Sequence, residues 1–167
     1  MELQDEIFIN TPRDVVFAGL NDPDILKECI PGCQELIKNS ESELSAVVQL
    51  KIGPVKAKFN GDVVLDPSDA PSHFSLTGSG NGGVAGFAKG GADVELLEQD
   101  EGTLLKYTAK AEIGGKLAQL GSRLVLSTAK KLSKNFFEKF DVVLTGEDST
   151  PDDDEAKKSL WGKLTGA

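Results

Sequence analysis

The sequence predicts an α+β domain: one strand and two short helices, then a six-stranded antiparallel meander, then a long C-terminal helix over a curved sheet. Three observations predict it. Segments of alternating apolar and polar residues succeed one another across short turns. Two proline-containing helix starts stand between the first and second of these segments. The last long segment changes to apolar spacings of three and four.

Residues 2–9 alternate and end at Asn10. Thr11-Pro12 reads as N-cap and first position of a helix with Val15, Val16 and Leu20 on one face. Asp22-Pro23 repeats the signal for a second helix, Asp24 to Cys29, which Pro31 and Gly32 stop. Strands follow over Cys33–Lys38, Glu43–Ile52 and from Val55 to Leu65, parted by Asn39-Ser40-Glu41-Ser42 and by Gly53-Pro54. Leu44, Ala46, Val48, Leu50 and Ile52 share a face, as do Phe59, Gly61, Val63 and Leu65. After a turn from Pro67 to Pro71 come His73–Gly78, a glycine-rich run through Gly83, a strand from about Ala85 to Glu98, and Leu104–Ile113. From Lys116 to Phe140, Leu117, Leu120, Leu124, Thr128, Leu132 and Phe136 mark one amphipathic helix of roughly seven turns.

A body of this length buries roughly 68–70% of its unfolded surface and needs neither disulfide nor metal to fold. No stretch approaches the roughly 18 apolar residues of a membrane span. MELQDEIFIN is acidic and alternating, unlike a secretory signal, so a cytoplasmic location with reduced cysteines is expected. The formal charge is −9, and the body shows no Lys/Arg clusters along its length, which argues against nucleic acid.

Cys29 and Cys33 bracket a Pro-Gly turn. With two Cys and one His in all, a closed zinc site would need carboxylates, and a thiol at a helix C-terminus lacks the dipole that activates redox cysteines. Both read as structural. His73 falls on the polar face of its strand, a solvated or edge position. The glycines from 78 to 91 match no phosphate-binding loop, because Lys89-Gly90-Gly91 has neither the spacing nor the hydroxyl. No catalytic residue and no metal site are expected.

Apolar volume remains. Phe59, Val63, Phe74, Leu76 and Tyr107 are expected to face the helix, interleaved with Gly61, Gly78, Ala88, Gly90, Ala92, Ala109 and Ala111. Small residues there leave room for a ligand; packing by the helix's own leucines and phenylalanines is the competing arrangement. Val48, Leu50, Phe87, Leu117, Leu120 and Leu124 complete the candidate lining. The Tyr107 hydroxyl is a candidate to orient a ligand's carbonyl oxygen.

The element order resembles the helix-grip fold of START and birch-allergen proteins. Within that superfamily, three stretches resemble the CoxG family of carbon monoxide dehydrogenase proteins: Ile30-Pro31-Gly32-Cys33, the run from Gly82 to Ala88 and the run from Gly114 to Arg123. The resemblance covers about residues 1–145. It implies the strand order 1-7-6-5-4-3-2, which puts alternate turns at one end of the sheet. Ile30, Pro31, Gly32, Pro54, Gly83, Gly114 and Gly115 would then surround a cavity mouth. It further implies a non-catalytic accessory protein that serves a molybdenum-containing CO dehydrogenase or a related xanthine-oxidase-type enzyme. No covalent cofactor is expected; the bound group would be a respiratory quinone or another lipid. A polyketide cyclase/dehydratase-like enzyme and an assembly factor with a filled core are the alternatives.

The domain is expected to close at about residue 144. Residues 145–155 read as an acidic, disordered linker. Residues 156–167 read as a short basic amphipathic tail: Leu160, Trp161 and Leu164 share a helical face, with Lys157, Lys158 and Lys163 elsewhere. Such a tail suits peripheral contact with the inner face of the cell membrane, or a partner protein.

Overall fold

The computed structural model describes residues 1–146. Seven strands, β1 (Glu2–Ile9), β2 (Cys33–Ser40), β3 (Glu43–Ile52), β4 (Val55–Asp69), β5 (His73–Asn81), β6 (Phe87–Gln99) and β7 (Gly102–Gly114), form one antiparallel sheet. Their order is β1-β7-β6-β5-β4-β3-β2. Helices α1 (Arg13–Leu20) and α2 (Pro23–Cys29) connect β1 to β2, and α3 (Lys116–Gln119) and α4 (Ser122–Thr145) follow β7. This is the helix-grip architecture.

Local chemistry fixes several boundaries. The Asp22 carboxylate caps α2, accepting from the N–H groups of Asp24 at 2.9 Å and Ile25 at 3.4 Å. The start of α1 differs from expectation: its N-cap is Pro12. Thr11 is instead buried against β7, its carbonyl accepting from the Thr103 hydroxyl at 2.7 Å. Val15 is largely exposed, and α1 buries Val16 and Gly19.

The expected single helix from Lys116 is two. Gly121 has φ +93°, which a right-handed helix cannot contain, so α3 ends after one turn and α4 starts afresh at Ser122. Helix α4 then runs past Phe140 to Thr145, where left-handed Gly146 closes it with an N–H bond to the Val142 carbonyl. Residues Gly83–Ala85 form a 3₁₀ turn, so β6 begins at Phe87 rather than at Ala85.

Two separate apolar clusters hold the fold. The first lies beneath α1 and α2 and contains Ile9, Val16, Cys29, Phe74, Leu96, Leu105 and Phe140, with Phe136 and Phe137 of α4 against it. Phe140 and Leu96 are fully buried, each contributing about 1.5–3 kcal/mol. The second lies at the opposite end of the sheet and contains Phe59, Ala85 and Leu117, with Leu50, Ile52, Val55, Ile113 and Leu120 around them.

Candidate functional site

Strand register decides what lies between the two clusters. Ala46 stands opposite Gly61, Gly61 opposite Gly80, and Gly80 opposite Ala88. In the next row Val63 faces Gly78, Gly78 faces Gly90, and Gly90 faces Ala111. The third row runs Leu65, Leu76, Ala92, Ala109. Directly opposed residues share a face, so the concave face carries a band of glycine and alanine across five strands. No residue of the three rows is fully buried. The middle of α4 crosses above the sheet with Leu124, Val125, Thr128, Ala129 and Leu132, each half-buried and each outside both clusters. A packed interior would bury such positions completely.

An apolar concavity of about 370 Å³ lies on the band, lined by Val63, Leu76, Gly78, Gly90 and Ala109 among others. Two further concavities flank it where α4 passes the β1 edge. One, of about 750 Å³, lies between Phe87, Ile113, Ala118, Val125 and Leu126. The other, of about 470 Å³, lies between Leu3, Asp5 and Ile7 of β1, Tyr107, and Lys130, Lys134 and Phe137 of α4.

The residues expected to line one cavity are spread over the band, the β1 crevice and the two clusters. Val63 and Leu76 border the band. Val48 and Leu124 are half-buried, the latter's side chain beside Gly53. Tyr107 stacks on Phe137 with ring centroids 5.6 Å apart, at the β1 crevice, and pairs across the strands with Asp5. Leu50, Phe59, Leu117 and Leu120 belong to the second cluster. Phe74 belongs to the first, edge-on to Phe17 at 5.2 Å, and so forms a wall of the closed end. Phe87 lies over Gly114 of β7, 44% exposed, and borders the 750 Å³ concavity rather than the band.

Pro54, Gly83, Gly114 and Gly115 lie at one end of the sheet, the end at which Leu117, Phe59 and Ala85 form the second apolar cluster. Ile30, Pro31 and Gly32 form the turn into β2, where Gly32 is held against Gln49 of β3. Sequence inspection missed the edge-strand Asp5; its place in the alternation of β1, with Leu3, Ile7 and Ile9, was the available signal.

Reactive chemistry is sparse. Cys29 and Cys33 are both free thiols. Burial pushes the Cys29 thiol up to about 11 and raises Cys33 as well, so neither is a ready thiolate. His73 lies on the outer face, 3.9 Å from Asp69 and 3.8 Å from Asp93. Among the described residues no group of three or more His, Cys, Asp or Glu is placed to hold a metal ion, and no helix is long and apolar enough to cross a membrane. Lys157, Lys158, Leu160, Trp161, Lys163 and Leu164 lie outside the described residues.

Comparison with known proteins decides the family. The family model for CoxG, described as a carbon monoxide dehydrogenase subunit, matches residues 6–145. The chain belongs to the CoxG family. No curated protein matched. Among solved structures, a conserved protein from Geobacillus kaustophilus is 33% identical to this CoxG chain, with a TM-score of 0.80, covering 86% of this chain and 95% of that one. The Zhui aromatase/cyclase from Streptomyces sp. R1128 is 9% identical (TM-score 0.65; 86% and 93% covered), and Ara h 8.0201 is 14% identical (TM-score 0.61; 88% and 99% covered). These two share the fold with CoxG.

Proposed function

We propose that this CoxG protein is a non-catalytic accessory factor that holds a hydrophobic ligand between α4 and the glycine–alanine band. The band carries the proposal. Nine Gly or Ala residues occupy three adjacent cross-strand rows under a helix whose middle joins neither cluster. The surface offered is apolar backbone and methyl groups, suited to a flat or chain-like apolar molecule. We assign that molecule to the respiratory quinones, because the family name points to a dehydrogenase whose electrons need an acceptor. In this account the protein serves a molybdenum-containing CO dehydrogenase or a related enzyme and links it to the membrane, residues 156–167 providing a further contact.

A cyclase or dehydratase on this fold needs ionisable groups inside to move protons. The β1 crevice brings Asp5 and Tyr107 beside Lys130, Lys134, Glu138 and Asp141, but the three rows of the band carry no ionisable side chain, and the Thr128 hydroxyl above them already donates to the Leu124 carbonyl at 2.9 Å. Native mass spectrometry with solvent extraction of the purified protein tests the proposal. A quinone or other lipid at one per chain is expected. Neither co-purified nor added quinone bound would overturn it.

A further inference from the structure

The fold sorts charge by sheet end. Residues 49–58, 80–90 and 112–123 meet at the end closed by Leu117, and they carry six bases and one acid, Glu112. The opposite turns, 39–43, 66–73 and 95–101, carry eight acids and no lysine or arginine. Lysines 51, 56 and 58, unremarkable along the chain, become a cluster through pairing. Lys51 stands directly opposite Lys56, and Lys58 is opposite Gln49. All three are exposed, and among the described residues none forms an ion pair. Like charges directly opposed across strands destabilise a sheet. This chain retains such a pair at a hairpin tip while being strongly acidic overall.

The same end presents the most exposed large apolar side chain among the described residues. Val84 is 85% exposed on the 3₁₀ turn, which packs against β4 and α3. Phe87, beside it, is 44% exposed.

We propose that the folded domain docks by this end, through Lys51, Lys56, Lys58 and Val84, on an anionic lipid surface. Charge complementarity selects an anionic partner, and an isolated apolar tip beside lysines suits the headgroup boundary of a bilayer. An acidic protein groove would not need the protruding valine. The acidic turns at the far end would be repelled by the same surface, so the domain would stand upright on it. The plug of Leu117, Phe59 and Ala85 then faces the bilayer. The docking deepens the membrane link proposed above by naming the surface of the domain that makes it, and delivery of a ligand past the Leu117 cluster rests in addition on the carrier function.

The test uses the full chain with vesicles of phosphatidylcholine alone and of phosphatidylcholine with phosphatidylglycerol, by co-sedimentation at low and high salt. Binding only to the anionic vesicles, reversed by salt, is expected. The triple variant K51E/K56E/K58E should weaken it by about tenfold or more, V84D should weaken it too, and both should keep the parent Tm because these side chains are exposed. Deleting residues 156–167 should leave a salt-sensitive, Lys51-dependent component. Unchanged vesicle binding by the triple variant would overturn the proposal. So would failure of the full chain to bind anionic vesicles while the triple variant loses capture of an acidic protein. Quinone uptake from detergent micelles is measured in parallel. Its failure in the parent protein would remove the ligand and leave the docking intact, whereas the triple variant should take up quinone normally.

Discussion

The Gly32 carbonyl accepts a 2.9 Å hydrogen bond from the Gln49 N–H, which latches the hinge between α2 and β2 onto the neighbouring strand β3. The approach is so close that a Cβ on Gly32 would lie 2.1 Å from the Gln49 carbonyl oxygen, and φ is +76°. Gly32→Ala should therefore destabilise the protein by about 1–3 kcal/mol. That corresponds to a drop in Tm of about 2–12 °C for a domain of this size, measured by scanning fluorimetry. An unchanged Tm would show that the latch does not hold the hinge.

Gly80 lies in the middle of the band, and a Cβ there meets no atom within 4 Å. Gly80→Leu should be accommodated with the parent Tm or a slightly higher one, since glycine weakens a strand interior. It should also lower ligand occupancy at least about tenfold, because a leucine occupies the ligand's volume. Extraction and native mass spectrometry give the occupancy. Full occupancy in this variant would place the ligand elsewhere.

Leu117 is 4% exposed and sits at the centre of the second cluster. Leu117→Ala should cost about 2–5 kcal/mol and, by opening the plug, raise the exchange rate of bound ligand. Stopped-flow exchange between vesicle-borne and protein-borne quinone reads the rate. A slower or unaltered exchange would mean that the ligand passes by the β1 edge instead.

The Cys29 thiol titrates near 11 in the fold against 9.0 unperturbed, chiefly because burial disfavours the thiolate. A folded pKa above the unfolded one contributes stability that is complete below pH 9 and is lost as pH rises toward 11. Denaturant midpoints should therefore fall through that window, and Cys29→Ala should flatten the fall. Iodoacetamide should label Cys33, half-buried, before Cys29 in the native protein, as peptide mapping would detect.

Much of the fold is legible in local chemistry. Asp22-Pro23 announces α2, and the alternation around Phe59 and Val63 announces β4 with its inward face. The glycines and alanines of the band are visible one by one. Their alignment into rows is not, because opposition between residues such as Val63 and Gly78 is set by turn length and bulges, not by either strand alone. The break at Gly121 escapes a reading by pattern because the apolar spacing runs straight through it, and only the backbone angle interrupts the helix. The place of Phe87 beside the band rather than on it is hidden for a similar reason: the 3₁₀ turn before it leaves strand phase to be fixed by pairing with Gly114. The lysine cluster is tertiary in the same sense, since Lys51 and Lys56 become neighbours only when the hairpin closes.

The separation of the two apolar clusters bears on how the molecule loses its structure. Across the band the halves are joined by backbone ladders and by a single helix, with few side chains to transmit a disturbance from one to the other. An empty molecule should accordingly melt in two overlapping steps, the smaller cluster around Leu117 yielding first. A guest that touches both walls would merge them into one sharper transition, so calorimetric cooperativity itself becomes a gauge of occupancy.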